Sequence, residues 1–226
     1  MMFEAVILMG GFGTRLKSLS NNIPKPMMPV GGMPFVYLLL KKLEGAGCKK
    51  IIFSLHYQAN EIIKKIKKDI PVNCEYDFVI EDTPLGTGGA LKLAADYVSE
   101  NKFIAINGDT YTDLDYAKFY KDTVDYEFAI AGINVKNAER YGSIFYDENC
   151  ILNGIKEKGF AGPAVINSGT YLISKSSISE VEEDIFSFEE VYIPKYFNKA
   201  KVLLFKGEFI DIGVPEDYYL ACKYFQ

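Results

Sequence analysis

The chain has 226 residues, 49% of them apolar, enough to bury one substantial core and in keeping with a single α/β domain. A formal charge of −5 excludes a general nucleic-acid or membrane-surface binder, because such proteins carry an excess of Lys and Arg to meet phosphates. The four cysteines, Cys48, Cys74, Cys150 and Cys222, are too scattered for a zinc knuckle or disulfide framework, no apolar run approaches the roughly 20 residues of a membrane span, and there is no secretory leader, so a cytoplasmic protein with reduced thiols is expected.

Ala5 to Met9 is a continuous apolar run ending in glycines and predicts a short buried strand. Helical spacing of Phe35, Leu38, Leu39, Leu43 and Ala46 predicts a helix that Gly47 ends. "KKIIFSL" reads as a second buried strand, Ala59 to Lys68 as a helix, "CEYDFVI" as a strand, Gly89 to Val98 as a helix, and "FIAIN" at Phe103 to Asn107 as a strand ending at Gly108 and Asp109. This alternation predicts a Rossmann-like, mostly parallel sheet with helices on both faces. Later segments, "YGSIFYDENCILNGIKEKG" and "AVINSGTYLI", have the short strands and turns of an antiparallel excursion. "KVLLF", "FIDIG" and a helix opened by Pro215 and Glu216 follow.

In an open parallel sheet, ligands sit beyond the carboxyl ends of the strands. Three features fall at such ends: the glycine loop after Met9, Asp109, and Asp211 within "FIDIG". The loop, "GGFGTRL", lacks the Lys-Ser/Thr of a P-loop and has Leu16 where the dinucleotide fingerprint needs a small residue. It remains a loop whose bare backbone N–H groups can face a polyphosphate, with Arg15 adding a guanidinium fork; a tight surface turn with an exposed arginine is the plainer alternative. In "IPKPMMPV", Pro24 and Pro26 stiffen the backbone around Lys25, which suits a positioned charge. Asp109 could equally be a helix cap or turn residue. Asp211, between two isoleucines, is costly unless something satisfies it.

With "GGFGTRL" and "PKPMMP" together, the chain resembles the sugar-1-phosphate nucleotidylyltransferases. "LGTGGAL", "NGD", "RYG", "EK", "NSGTY" and "DIGVPEDY" extend the resemblance, in order, along almost the whole length. The resemblance implies attack by a sugar 1-phosphate on the α-phosphorus of a nucleoside triphosphate, with release of pyrophosphate. Both reactants are polyanions, so positioning and charge neutralisation carry such catalysis. By the same resemblance, Arg15, Lys25 and Lys158 are catalytic: the first two neutralise the triphosphate, and Lys158 grips the sugar phosphate. Asp109 and Asp211 would hold Mg²⁺. Leu8, Gly10, Gly11, Gly13, Thr14, Gly86, Thr87 and Gly108 would frame the nucleotide, and Asn107, Gly142, Glu157, Asn167 and Gly169 the sugar. No general base is required, which leaves the single histidine, His56, without a catalytic duty.

Glu81 occupies the position that faces the base edge in the family. An ionised carboxylate only accepts hydrogen bonds, which suits the adjacent N1–H and 2-amino donors of guanine and favours GTP; a solvent-facing glutamate is the alternative. "IPKPM", "PLGTGGA", "NGDT", "SFEE" and "FIDIGVPEDYY", with the compact length, resemble the D-glycero-α-D-manno-heptose 1-phosphate guanylyltransferases of bacterial surface-polysaccharide pathways. Mannose or glucose 1-phosphate is the alternative acceptor. A single domain over 1–226 is expected, with a nucleotide-binding half over 1–110, a sugar-binding half over 111–226 and no C-terminal β-helix; a homo-oligomer is compatible with the 14% aromatic content. Two rival readings are a glycosyltransferase using an Asp-x-Asp metal site at "DLD", Asp113 to Asp115, and a catalytically silent regulatory subunit. The triplet is read instead as the start of a helix, where acids favour the dipole.

Overall fold

The structure is a computed structural model that describes residues 2–11, 16, 19, 23–156 and 158–226. Elements follow in chain order: β1 (Phe3–Leu8), a 3₁₀ turn at Lys25–Met27, β2 (Pro29–Val30), β3 (Met33–Pro34), α1 (Phe35–Gly45), β4 (Cys48–Leu55), α2 (Ala59–Asp69), β5 (Glu75–Ile80), α3 (Gly86–Ala95) and β6 (Lys102–Asn107). The second half adds β7 (Thr110–Thr112), α4 (Tyr116–Thr123), β8 (Phe128–Val135), β9 (Ser143–Tyr146), β10 (Leu152–Lys156), β11 (Ala164–Ser174), α5 (Lys175–Ser179), β12 (Lys201–Phe205), β13 (Phe209–Asp211) and α6 (Pro215–Tyr224).

Strands β5, β4, β1 and β6 lie side by side and parallel, with β1 between β4 and β6. In β4, β1 and β6 the apolar runs are continuous because both faces are covered, whereas β5, at the sheet edge, carries Glu75 and Asp77 and is mostly half-exposed. Ala5 and Ile7 face the side packed by α1, α2 and α4, while Val6 faces the side packed by α3. The chain runs outward from β1 through β4 to β5 and then crosses back to β6, so the strand order reverses between β1 and β6. That switch point opens a crevice at the strands' carboxyl ends.

β11 is the seam to the antiparallel part. Residues 170–174 pair with β6, and the same strand pairs with β8 and touches β9 at Ile166↔Ser143. Its register against β8 slips between Asn167 and Tyr171, a bulge that turns Gly169 to φ +71° at the mouth of the crevice. β12 pairs with β8 in parallel, completing nine strands.

The expected elements are present with shifted ends, except at α3, which starts at Gly86 and not Gly89. Glycine's poor helix propensity hides that first turn. Tertiary contact overrides it, because a β-carbon on Gly88 or Gly89 would collide with Phe186 or with Asp184 O. β7, β8 and the β2–β3 hairpin have no counterpart among the sequence-based elements. The four cysteines are free, and no described helix is long and apolar enough to cross a membrane.

Candidate active site

Three adjoining cavities form one trench along the crevice. The first, about 330 Å³, is walled by Leu8, Gly10, Gly11, His56, Glu81, Pro84, Gly86, Thr87 and Ala90, with Asn107 and Asp109 at its inner end. The middle one, also about 330 Å³, holds Lys25, Asp109, Asp211, Lys158, Thr110 and Gly213. The third, about 310 Å³, is bounded by Arg140, Tyr141, Gly142, Lys158, Asn167, Gly169, Tyr171, Ser187 and Glu189. Asn107 lines all three.

The acids of the middle cavity come from one small ribbon. β7 and β13 pair antiparallel with Asp211 opposite Thr110, and Ile212 N donates to Asp109 O at 3.0 Å. Ile210 and Ile212 are buried while Asp211 between them turns toward the trench, the alternation of an extended strand. Pro24 at φ −56° and Pro26 set the 3₁₀ turn that delivers Lys25, whose Nζ lies 2.5 Å from Asp109 Oδ2 and 3.5 Å from Asp211 Oδ1. Burial first, then the charge on Asp109, push the Asp211 carboxyl above its usual range against the pull of Lys25.

Asp211 Oδ1 is buried and, apart from the 3.5 Å ion pair with Lys25, has no hydrogen-bond partner among the described residues. Two carboxylates, one with a buried oxygen that meets only Lys25 at long range, beside an open cavity fit a hard divalent cation that takes its other ligands from phosphates and water. No group of three or more His, Cys, Asp or Glu that could hold a metal occurs among the described residues, so such an ion would depend on the substrate for coordination.

At the first cavity, Glu81 Oε2 accepts from Leu85 N at 2.9 Å, and its Oε1 lies so near Gly10 that a β-carbon there would come within 3.0 Å. Burial raises the Glu81 pKa, opposed by the Leu85 bond and by His56. The side chain is buried in the cavity wall and does not face bulk solvent. His56, left without a duty by the sequence, lines the same wall with Nδ1 3.0 Å from Glu81 O.

Gly86 adopts φ +74° against Phe186 O, so the turn before α3 depends on its missing side chain. Gly108 lines none of the three cavities. It lies behind the crevice, where a β-carbon would strike Met9 Cγ at 2.7 Å, and its N–H bonds Leu8 O at 2.9 Å; its duty is to let β6 end against β1. At the third cavity, Asn167 Oδ1 accepts from Gly169 N at 2.9 Å, Asn167 Nδ2 donates to Tyr171 OH at 2.7 Å, and Asn167 N bonds Gly142 O at 2.8 Å. Gly169 is pressed against Asn107, whose Nδ2 would be 2.4 Å from an added β-carbon. The Gly13, Thr14, Arg15 and Glu157 assignments lie outside the described residues.

The Asp-x-Asp reading fails here. Asp115 caps α4, its Oδ1 accepting from Lys118 N at 2.9 Å. Asp113 accepts from Glu208 N at 2.8 Å and Tyr111 OH at 3.1 Å, and pairs with Lys42 at 3.8 Å. Both acids are engaged in the scaffold, and neither lines the trench. Sequence reasoning also passed over Arg140, Ser187 and Glu189. Arg140 pairs with Asp217 of α6 and lies 5.5 Å from the Tyr141 ring. The signals were present in "RYG", "SFEE" and "PEDY", but what brings them to one wall is tertiary.

A crevice at the strand-order reversal, with cations and paired acids midway between two pockets, defines a nucleotide-binding α/β enzyme equipped to join two phosphate-bearing substrates. The chain belongs to the nucleotidyl transferase family, whose profile matches residues 4–225. It is 38% identical to the D-glycero-α-D-manno-heptose 1-phosphate guanylyltransferase of Campylobacter jejuni over 96% of this chain and 97% of that one. The enzyme of the same description from Aneurinibacillus thermoaerophilus is 35% identical, over 99% and 98%. Among solved structures, HddC from Yersinia pseudotuberculosis superposes over all of both chains with TM-score 0.93 and 50% identity, and it has also been solved complexed with GMP-PN.

Proposed function

We propose that this chain transfers GMP from GTP to a sugar 1-phosphate, with D-glycero-α-D-manno-heptose 1-phosphate as acceptor, releasing pyrophosphate and forming GDP-heptose. The observation that carries the reading is the trench: two pockets meet at Asn107 beside a lysine held between two acids. The guanylyltransferases of Campylobacter and Aneurinibacillus, and the GMP-PN complex of HddC, support the choice of nucleotide and sugar.

Guanine occupies the first cavity, with Glu81 accepting from its N1–H and 2-amino groups. Gly11 leaves room for the ribose and phosphates to approach the backbone, while Gly10 leaves room for the Glu81 carboxylate behind it. Lys25 and Arg15 neutralise the triphosphate, and Lys158, which lines both the middle and third cavities, draws the sugar phosphate toward it. A phosphate monoester with second pKa of about 6 is already a dianion at neutral pH, so no side chain need remove a proton. Its oxygen attacks the α-phosphorus, the bond to the β-phosphate breaks, and pyrophosphate leaves. Asp109 and Asp211 would hold Mg²⁺, which when bound offsets charge on the phosphate oxygens. Asn167, Gly142 and Gly169 shape the sugar pocket.

The test is pyrophosphate release measured for four nucleoside triphosphates against heptose, mannose and glucose 1-phosphates. GTP with heptose 1-phosphate should give the highest kcat/KM. A higher value with mannose 1-phosphate would reassign the acceptor, and no release with any pair would support the non-catalytic nucleotide-sugar-binding reading instead.

A further inference from the structure

The glycines that open α3 are explained by what lies on them. Gly86 and Gly89 touch the backbone of residues 184–186 so closely that β-carbons would come within 2.5 and 2.2 Å of carbonyl oxygens. Gly88 N donates to Phe186 O at 2.9 Å, and Phe186 N to Leu85 O at 3.0 Å. The segment docked on the base-side helix continues into Ser187 and Glu189, which line the third cavity. One residue from each side completes the junction. Thr87 Oγ1 accepts from Phe188 N at 2.9 Å, so its single hydrogen is donated to Glu189 Oε2, 2.8 Å away.

Glu189 is thereby fixed by one oxygen, Oε2, to which Ser187 Oγ also donates at 3.4 Å, while its Oε1 makes no hydrogen bond among the described residues. A carboxylate repels phosphate and only accepts hydrogen bonds, so what it can take from a sugar 1-phosphate is a hydroxyl donor. The phosphate belongs instead to Lys158, on the same cavity. The neighbouring Tyr171 hydroxyl holds its proton, through burial first and the charge of Glu189 second, and so remains a neutral partner for Asn167.

Resting on the guanylyltransferase reading, we propose that Glu189 binds hydroxyl groups of the acceptor sugar, and that Thr87, on the guanine side, positions it. The two pockets therefore share a wall in which one hydrogen bond joins the base-side helix to the sugar-reading carboxylate.

Steady-state pyrophosphate release with Mg²⁺, GTP and D-glycero-α-D-manno-heptose 1-phosphate tests this. Glu189→Ala should raise the KM for the sugar phosphate about 10- to 100-fold, the range for a charge-assisted hydrogen bond, and leave the KM for GTP and the melting temperature near the parent's. Glu189→Gln keeps an acceptor for Thr87 and should recover most of the loss while still raising the sugar KM a few-fold. This variant preserves shape and keeps the assignment testable if the alanine protein does not fold. Thr87→Val should give an intermediate rise. An unmoved sugar KM in the Gln and Ala proteins, or a rise in the KM for GTP in place of it, overturns the assignment and makes Glu189 a brace for α3. If the parent itself turns over no sugar 1-phosphate, the underlying reading fails, and that outcome is distinct from an active parent with an unaffected Glu189 variant.

Discussion

Gly169→Ala separates geometry from composition at the centre of the trench. Gly169 sits at φ +71° in the β11 bulge, a conformation that costs an alanine roughly 1–2 kcal/mol. Its new β-carbon would lie 2.4, 2.9 and 3.2 Å from Nδ2, Cγ and Cβ of Asn107, so the whole side chain must move, not just its tip. Overpacking of this kind costs roughly 1–3 kcal/mol. The sum, roughly 2–5 kcal/mol, lowers Tm by roughly 4–20 °C in a chain of this size. Because Asn107 lines all three cavities, kcat/KM for both substrates should fall as well, even at temperatures where the variant is folded. Two other glycines calibrate the result by thermal melting and pyrophosphate release. Gly159 has φ +103° with no described residue within 4 Å of an added β-carbon, so Gly159→Ala reports backbone strain alone. Gly11 has no described residue within 4 Å of an added β-carbon and no left-handed backbone, so Gly11→Ala should keep its Tm while raising the KM for GTP, whose pocket it lines. If Gly169→Ala melts with Gly159→Ala and retains the parent's kcat/KM, the close approach to Asn107 has no functional weight.

Glu81→Gln should lower kcat/KM for GTP about 10- to 100-fold and that for dTTP or UTP far less, since a neutral amide loses the carboxylate's paired acceptors; an unchanged nucleotide profile would refute the base assignment. Asp211 has a folded pKa raised above its unfolded value, so its contribution to stability is fullest below the unfolded value and declines as pH rises through the folded one. Asp211→Asn should therefore melt above the parent at neutral pH and converge with it toward about pH 4, while losing activity; a constant difference across that window would contradict the sign. Asp113→Ala removes acceptors for Glu208 N and Tyr111 OH and should cost roughly 1–3 kcal/mol of stability, with kcat and the Mg²⁺ dependence unchanged. A loss of metal dependence there would revive the Asp-x-Asp reading.

The parallel half of the fold was legible because β1, β4 and β6 are buried on both faces and stand out as apolar runs, with β1 and β6 ending in Gly or Asn-Gly-Asp; β5, at the edge, shows instead as a short run of aromatic and β-branched residues. The converging charges were legible for a related reason: Lys25, Asp109 and Asp211 sit at strand ends or between prolines, positions where local sequence already restricts the backbone. What stayed hidden is tertiary. The first turn of α3 is made of residues that disfavour helix and is held by Asp184 and Phe186 from far along the chain. Gly108 resembles a ligand-facing glycine by its neighbours, yet its space is taken by Met9. Glu189 sits in a charged surface-like run, and nothing local shows that Thr87 waits across the gap. β8, an apolar run interrupted by Gly132, enters the sheet through its partners β11 and β12.

The turn that carries Lys25 leads into β2, and β2 rests on α6. Tyr218 OH bonds Pro29 O at 2.7 Å, a contact spanning 189 positions, and Phe225 fills the space beside Gly31. During synthesis, the strands that form the guanine pocket emerge long before this brace exists. A ribosome-bound chain lacking residues 215–225 would carry its lysine arm on the Phe35–Gly45 helix alone, without the contacts of Tyr218 and Phe225. Competence for phosphoryl chemistry would thus arrive with the last helix, late in translation.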